Sequence, residues 1–133
     1  MKLLFDGNFE RPEIELSDSP AGLKNLGELL LDLNKEIELS AIPEESDFYP
    51  YNLKKIAFKI NKDEQGINLI YISVAEEYLV LEGTSIALRK LGHSLLNCFN
   101  ENSPDTSHIH LEYFPGNQLV APTNCSLIIV CQR

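Results

Sequence analysis

The chain repeats itself. Residues 14–34, IELSDSPAGLKNLGELLLDLN, lie without a gap on residues 79–99, LVLEGTSIALRKLGHSLLNCF, at a constant offset of 65. Leu16, Leu23, Leu26, Gly27, Leu30 and Leu31 meet Leu81, Leu88, Leu91, Gly92, Leu95 and Leu96, while Ser19 meets Thr84 and Lys24 meets Arg89. Leucine-rich helices can match by chance, but a shared mid-helix glycine after a shared strand favours internal duplication. With 133 residues, such a chain can enclose one real core and is too short for two substantial domains.

Each copy reads as strand, turn, helix. Ile14 and Leu16 alternate with Glu13, Glu15 and Ser17, the pattern of a strand with one buried face. Ser19 is placed to cap a helix whose first turn takes Pro20, where a missing N–H costs nothing. Leu23, Leu26, Leu30 and Leu33 then form a stripe. In the second copy Thr84 caps, and Leu88, Leu91, Leu95 and Phe99 form the stripe, ending near Asn100. Gly27 and Gly92 lie on these stripes, and a mid-helix glycine costs about 1 kcal/mol unless close packing compensates. Both helices are therefore expected close against a sheet.

After the first helix come LKKIAFKI and INLIYISV, separated by the turn-like NKDEQG; after the second come HIHLEYF and CSLIIVCQR. Each half is thus expected to be β-α-β-β, with KLLF at residues 2–5 as an edge strand. The economical assembly is one α+β domain over residues 1–133, with pseudo-repeats at 12–74 and 77–132. It would be a two-layer sandwich, a mostly antiparallel sheet with both helices on one face.

Twenty acidic residues stand against eleven basic ones, a net charge of -9, so the molecule repels a phosphate backbone and suits a basic partner better than nucleic acid. Cys98, Cys125 and Cys131 form no CxxC pair, which points away from a disulfide framework or zinc ribbon and toward a reducing, cytoplasmic setting. The segment MKLLFDGNFE is too short in apolar residues for a signal peptide, and no run elsewhere approaches a membrane span.

His108 and His110 stand two apart on an expected strand and so share a face, joined by Glu112. Two imidazoles and a carboxylate could ligate a metal, but a functional site needs a further ligand and an enclosed pocket, and only His93 remains, on a helix. Paired surface histidines are the favoured reading. There is no GxSxG elbow and no cysteine in a turn opening a helix, so covalent catalysis is unsupported. The glycines are scattered singly, without the amide density of a phosphate-binding loop, so no nucleotide cofactor is indicated.

The most distinctive polar segment is EIELSAIPEESDFYPYN, residues 36–52. It holds Glu36, Glu38, Glu44, Glu45 and Asp47 without a lysine or arginine, and Phe48, Tyr49 and Tyr51 are interleaved at its end. Carboxylates beside aromatic anchors are the chemistry that binds a basic protein surface, whereas the bland alternative is a solvated loop with its aromatics tucked under a sheet edge. A second candidate is the open sheet face, read from the alternation as Glu13, Glu15, Lys55, Lys59, Tyr78, Val80, His108, His110 and Glu112. Such a face can meet water, a partner or a second copy in a homodimer.

The run at 14–34, followed by HIHLEYFPGNQLVAPTNCSLIIV at 108–130, resembles the bacterial immunity protein 32 family of polymorphic toxin systems. That family runs strand, small-residue turn, AGL-type helix, HLD-like strand, glycine turn and a final S-x-L-x-I strand. His110, Leu111 and Glu112 stand at the HLD-like place, Gly116 at the turn, and Ser126, Leu127 and Ile129 on the last strand. The chain departs from the pattern in the central stretch, roughly 36–87, and in Glu112 where an aspartate is expected. The resemblance implies a non-catalytic antidote that binds and neutralises a toxin protein. Contacts are then expected first at Glu44, Glu45, Asp47, Phe48, Tyr49 and Tyr51, and second at His108, His110 and Glu112. The rival readings are a metal-dependent enzyme or sensor using His108 and His110, and an oligomeric accessory domain.

Overall fold

A computed structural model describes residues 1–62 and 67–133. The expected turn NKDEQG falls largely on 63–66, outside the described residues. Strand β1 (Lys2–Phe5) leads to β2 (Glu13–Asp18), helix α1 (Pro20–Leu31), β3 (Ile37–Ser40), β4 (Tyr51–Asn52) and β5 (Lys55–Ile60). Then come β6 (Tyr71–Ala75), β7 (Tyr78–Gly83), helix α2 (Ser85–Cys98), β8 (His108–Leu111) and β9 (Ser126–Cys131).

Both helices start as their sequences require. The Ser19 hydroxyl accepts from the Gly22 N–H at 3.1 Å, and the Thr84 hydroxyl accepts from the Ala87 N–H at 3.1 Å. The two caps share one backbone conformation, φ/ψ of -65°/161° and -66°/161°. Each hydroxyl satisfies one amide that the first helical turn leaves without a carbonyl.

The α+β class holds, and the strands divide between two mixed sheets. One has the order β4-β1-β2-β9-β8, the other β3-β5-β7-β6. Each is built around one parallel pair, β2 with β9 and β5 with β7, flanked by antiparallel neighbours. The parallel pairs join strands far apart in the chain, so each sheet takes strands from both halves. The registers correspond: Glu13 to Asp18 lie opposite Ser126 to Cys131, and Tyr78 to Gly83 lie opposite Lys55 to Ile60. Likewise Ile37 and Leu39 face Phe58 and Ile56 as Ile109 and Leu111 face Ile129 and Leu127.

Three expectations change. Residues 37–40, read as part of a long loop, form β3, because Ile37 and Leu39 alternate with Glu38 and Ser40 and so present a half-buried face to β5. Strands β5 and β6 do not pair as a hairpin, since β7 lies between them; β6 instead pairs with β7 through the turn at Glu76 and Glu77, where the halves were expected to join. Gly27 and Gly92 are buried against each other rather than against a sheet. A Cβ on Gly27 would stand 3.0 Å from the Gly92 carbonyl oxygen, and one on Gly92 would stand 2.7 Å from that of Gly27. The two helices therefore cross backbone to backbone at the glycines.

One buried cluster unites Leu3, Ile14, Leu16, Leu127 and Ile129 of the first sheet, Ile56, Phe58, Leu79 and Leu81 of the second, and Leu23, Leu30, Leu88 and Leu95 of the helices. Burying such side chains is worth about 1.5–3 kcal/mol each. Because the inward residues alternate along every strand, the intervening residues turn outward and form the candidate surfaces.

Candidate functional site

In the five-stranded sheet the registers set Asn52, Leu4, Glu15, Ile128 and His110 in one row across the strands. The adjacent row holds Lys2, Ser17, Val130 and His108. These residues alternate with the core positions, so both rows belong to the face turned away from the core, on which Leu4, Ser17 and Val130 are nonetheless buried.

The acidic connection from Ala41 to Pro50 lies along the β1 end of this face. The Ile42 N–H donates to the Met1 carbonyl at 2.8 Å, and Lys2 Nζ pairs with Glu44 Oε1 at 2.6 Å. The Asn52 side chain accepts from the Glu44 N–H and donates to the Glu44 carbonyl, both at 2.9 Å. Leu4, although directed outward, is only 3% exposed. Burial, and after it the charges of Glu15, Glu13 and Asp6, push the Tyr49 phenol above its ordinary value. Tyr49 thus sits within electrostatic reach of the start of β2. Burial also raises the Glu15 carboxyl, with Glu44 adding to the effect.

The two regions singled out from the sequence therefore meet on one sheet. Glu44, Glu45, Asp47 and Tyr49, with Ser46, Pro50 and Asn52, line an open depression of about 520 Å³. Phe48 projects from it at 87% exposure, and Tyr51 is also exposed. His108 and His110 stand at the opposite edge, three strands from β1, which is roughly 14 Å at the usual strand spacing. Their rings meet edge to face at 5.0 Å. The His108 Nδ1 lies 3.0 Å from the Thr106 carbonyl, which can only accept, so that nitrogen carries the proton. Glu112 follows β8 and accepts weakly from the Ser126 hydroxyl at 3.4 Å. Among the described residues, no three of the His, Cys, Asp and Glu side chains are grouped as metal ligands would be.

The open face read from the alternation is split. Glu13, Glu15, His108 and His110 lie on the five-stranded sheet, whereas Lys55, Lys59, Tyr78 and Val80 lie on the other. Periodicity reports which side of a strand is buried and not which sheet the strand joins. On the four-stranded sheet Lys55 pairs with Glu38 at 3.4 Å and lies 5.8 Å from the centre of the Tyr78 ring.

The cysteines carry no activated thiol environment at their buried positions. Desolvation, with Asp6 adding to it, pushes the Cys125 thiol up to about 12, and burial raises Cys131 as well. Thiolate is the reactive form, so both side chains act as small packing groups.

Sequence reasoning missed Phe9, Tyr113 and Phe114, which are 62%, 41% and 57% exposed. A signal for the last two was present. FYPYN at 48–52 and YFPGN at 113–117 share the order aromatic, aromatic, proline, any residue, asparagine, at the same offset of 65 as the helices.

Among the described residues no helix is long and apolar enough to cross a membrane. No curated protein and no solved structure matches the chain. The family model of Immunity protein 32 matches residues 78–132, which run without interruption from β7 through α2 and β8 to β9; the match takes in the 108–130 part of the expected resemblance and leaves 14–34 outside it.

Proposed function

We propose that this chain is a non-catalytic immunity protein that binds a toxin protein in the cytoplasm and neutralises it through an acidic surface. The carrying observation is the family match to Immunity protein 32 over one complete β-α-β-β stretch. The geometry supports the same reading. An acidic connection with a projecting phenylalanine lies on the same sheet face as Glu13, Glu15 and the histidine pair, and among the described residues Glu44 is the one member of its 44–47 run that is ion-paired. A surface of this kind fits a basic partner, because complementary charge steers encounter and an exposed aromatic supplies the anchor. Glu44, Glu45, Asp47, Phe48, Tyr49 and Tyr51 are the first contacts in this reading, and His108, His110 and Glu112 extend the face.

The test is growth protection. A toxin protein recovered with this chain from its source cells is expressed in cells with either the parent chain or a variant carrying Glu44, Glu45 and Asp47 as lysines. The parent is expected to restore growth, and the variant is expected to bind about tenfold more weakly or worse and to lose protection at equal abundance. Full protection by the variant removes the acidic connection from the mechanism, and no protection by the parent ends the immunity reading.

A further inference from the structure

We infer that one end of the five-stranded sheet is an arginine-reading docking surface, made by three loops that the sequence keeps far apart. This assignment rests on the immunity reading and names the chemistry of the partner. The register fixes the end in question: Tyr51, Phe5, Ile14, Leu127 and Leu111 form its last full row. The loop 6–12 leaves and re-enters the sheet there, the acidic connection enters it at Tyr51, and the chain leaves it after Leu111 toward Glu112, Tyr113 and Phe114.

Six phenylalanine and tyrosine side chains are exposed among the described residues, and five of them, Phe9, Phe48, Tyr51, Tyr113 and Phe114, belong to these loops or their anchor strand. Exposed aromatics gathered at one end of a sheet call for an occupant, since scattered single ones do not. Two are anchored from below: Phe9 packs edge to face on Phe5 at 5.2 Å, and Tyr51 stands 6.4 Å from Phe5 over Gly7. Gly7 has φ of +85°, and a Cβ there would run into the Tyr51 ring.

The repeated motif braces the other side. Asn52 exchanges two hydrogen bonds with the Glu44 backbone, and Asn117 donates to the Glu112 carbonyl at 2.8 Å while accepting from Leu119 and Val120 at 2.7 and 2.9 Å. These bonds tie both loops to the fold beside their leading aromatics, which lowers the entropy lost on binding. From β4 to β8 the patch spans four strand spacings, roughly 19 Å, the scale of a standard protein interface.

Charge selects the occupant. The loops 6–12, 41–50 and 112–125 hold Asp6, Glu10, Glu44, Glu45, Asp47 and Glu112 against one basic residue, Arg11, with Glu44 paired to Lys2 of β1. Aromatic faces interleaved with carboxylates suit guanidinium better than ammonium, because guanidinium stacks on a ring while its fork pairs with a carboxylate. The partner is therefore a basic protein presenting arginine side chains.

The probes are nona-arginine and nona-lysine peptides, titrated into the full chain at physiological salt by calorimetry and by amide-resolved NMR. The expected result is tighter binding of the arginine peptide by about fivefold or more, with shifts confined to 6–13, 45–52 and 112–117. Phe48→Ala and Phe114→Ala, both at exposed positions, should each weaken it about fivefold. Ile86→Ala, an exposed apolar control on α2, should leave it unchanged. Equal affinity for both peptides, insensitivity to the aromatic variants, or shifts centred elsewhere would overturn the assignment. So would a dimer in sedimentation that Phe48→Ala dissociates, since the surface would then face a second copy. Arginine selectivity without growth protection would sink the immunity reading alone, and protection without arginine selectivity would sink this one alone.

Discussion

Replacing Gly92 by alanine tests the central claim about the helix crossing. Helix propensity alone predicts a gain of about 1 kcal/mol, because alanine removes the backbone freedom that glycine loses on folding. The structure opposes it. The added Cβ would stand 2.7 Å from the Gly27 carbonyl oxygen, 3.1 Å from Leu30 Cβ and 3.3 Å from Leu31 Cδ2. Ordinary contact begins near 3.4 Å, so the helices must part by about 0.7 Å at the crossing. Neither Gly27 nor the Leu30 Cβ can swing aside as a flexible side-chain end would. Overpacking of this size costs about 1–3 kcal/mol, and a gap of 0.5–1 Å forfeits about a quarter to a half of each dispersion contact along the seam. The net expectation is a loss of about 1–2 kcal/mol, or a Tm lower by roughly 3–8 °C for a chain of this size. Gly27→Ala meets its nearest atoms at 3.0 Å and should cost less. The double variant should cost less than the sum, since the first substitution has already opened the seam that the second needs. Urea and thermal unfolding followed by circular dichroism measure all three, with Asn25→Ala on the exposed side of α1 as a propensity control. A Gly92→Ala chain more stable than its parent would refute the close crossing.

Removing the Ser19 hydroxyl in Ser19→Ala should lower unfolding free energy by about 1 kcal/mol, and Thr84→Ala should cost more, because the Thr84 hydroxyl also donates to Asn68 Oδ1 at 2.9 Å; chemical denaturation that ranks them the other way would contradict this. Glu15 has its carboxyl raised first by burial and then by Glu44, so the folded state holds its proton more tightly than the unfolded chain. The stability tied to that proton is fully present below the ordinary carboxyl value and is lost as pH rises through the folded one; Glu15→Gln should therefore raise Tm at pH 7 and make no difference near pH 4. A thiol reagent at pH 8 should modify exposed Cys98 in the native chain and reach Cys125 and Cys131 only on unfolding. For Cys125 the same proton logic predicts stability falling between pH 9.0 and about 12, as the unfolded thiol ionises and the folded one does not. Native labelling of all three cysteines at equal rates would contradict the burial.

Much of the local structure was legible. Ser19-Pro20 and Thr84 announced the helix starts because a cap satisfies amides within its own turn. The strands around Ile14, Ile56, Leu79, His108 and Leu127 followed from two-residue alternation. Residues 37–40 escaped because four residues carrying two half-buried apolar side chains give little periodic signal inside an acidic stretch. In the candidate site, Phe48 and its carboxylates stood out by composition, whereas Phe9 is a single apolar residue in a polar loop, and Tyr113 and Phe114 are marked only by the order they share with residues 48–52.

The residues by themselves determined the α+β class, both caps, the paired glycines, the acidic surplus and the family resemblance, all of which rest on interactions within a turn, a strand or a motif. The tertiary structure alone decided that β2 pairs with β9 and β5 with β7, that the two glycines face one another, and that three distant loops share one end of a sheet. The physical reason is that alternation says which face of a strand seeks the core and nothing about which strand lies beside it. That choice is made by the fit of two inner sheet faces and a helix pair into one buried cluster.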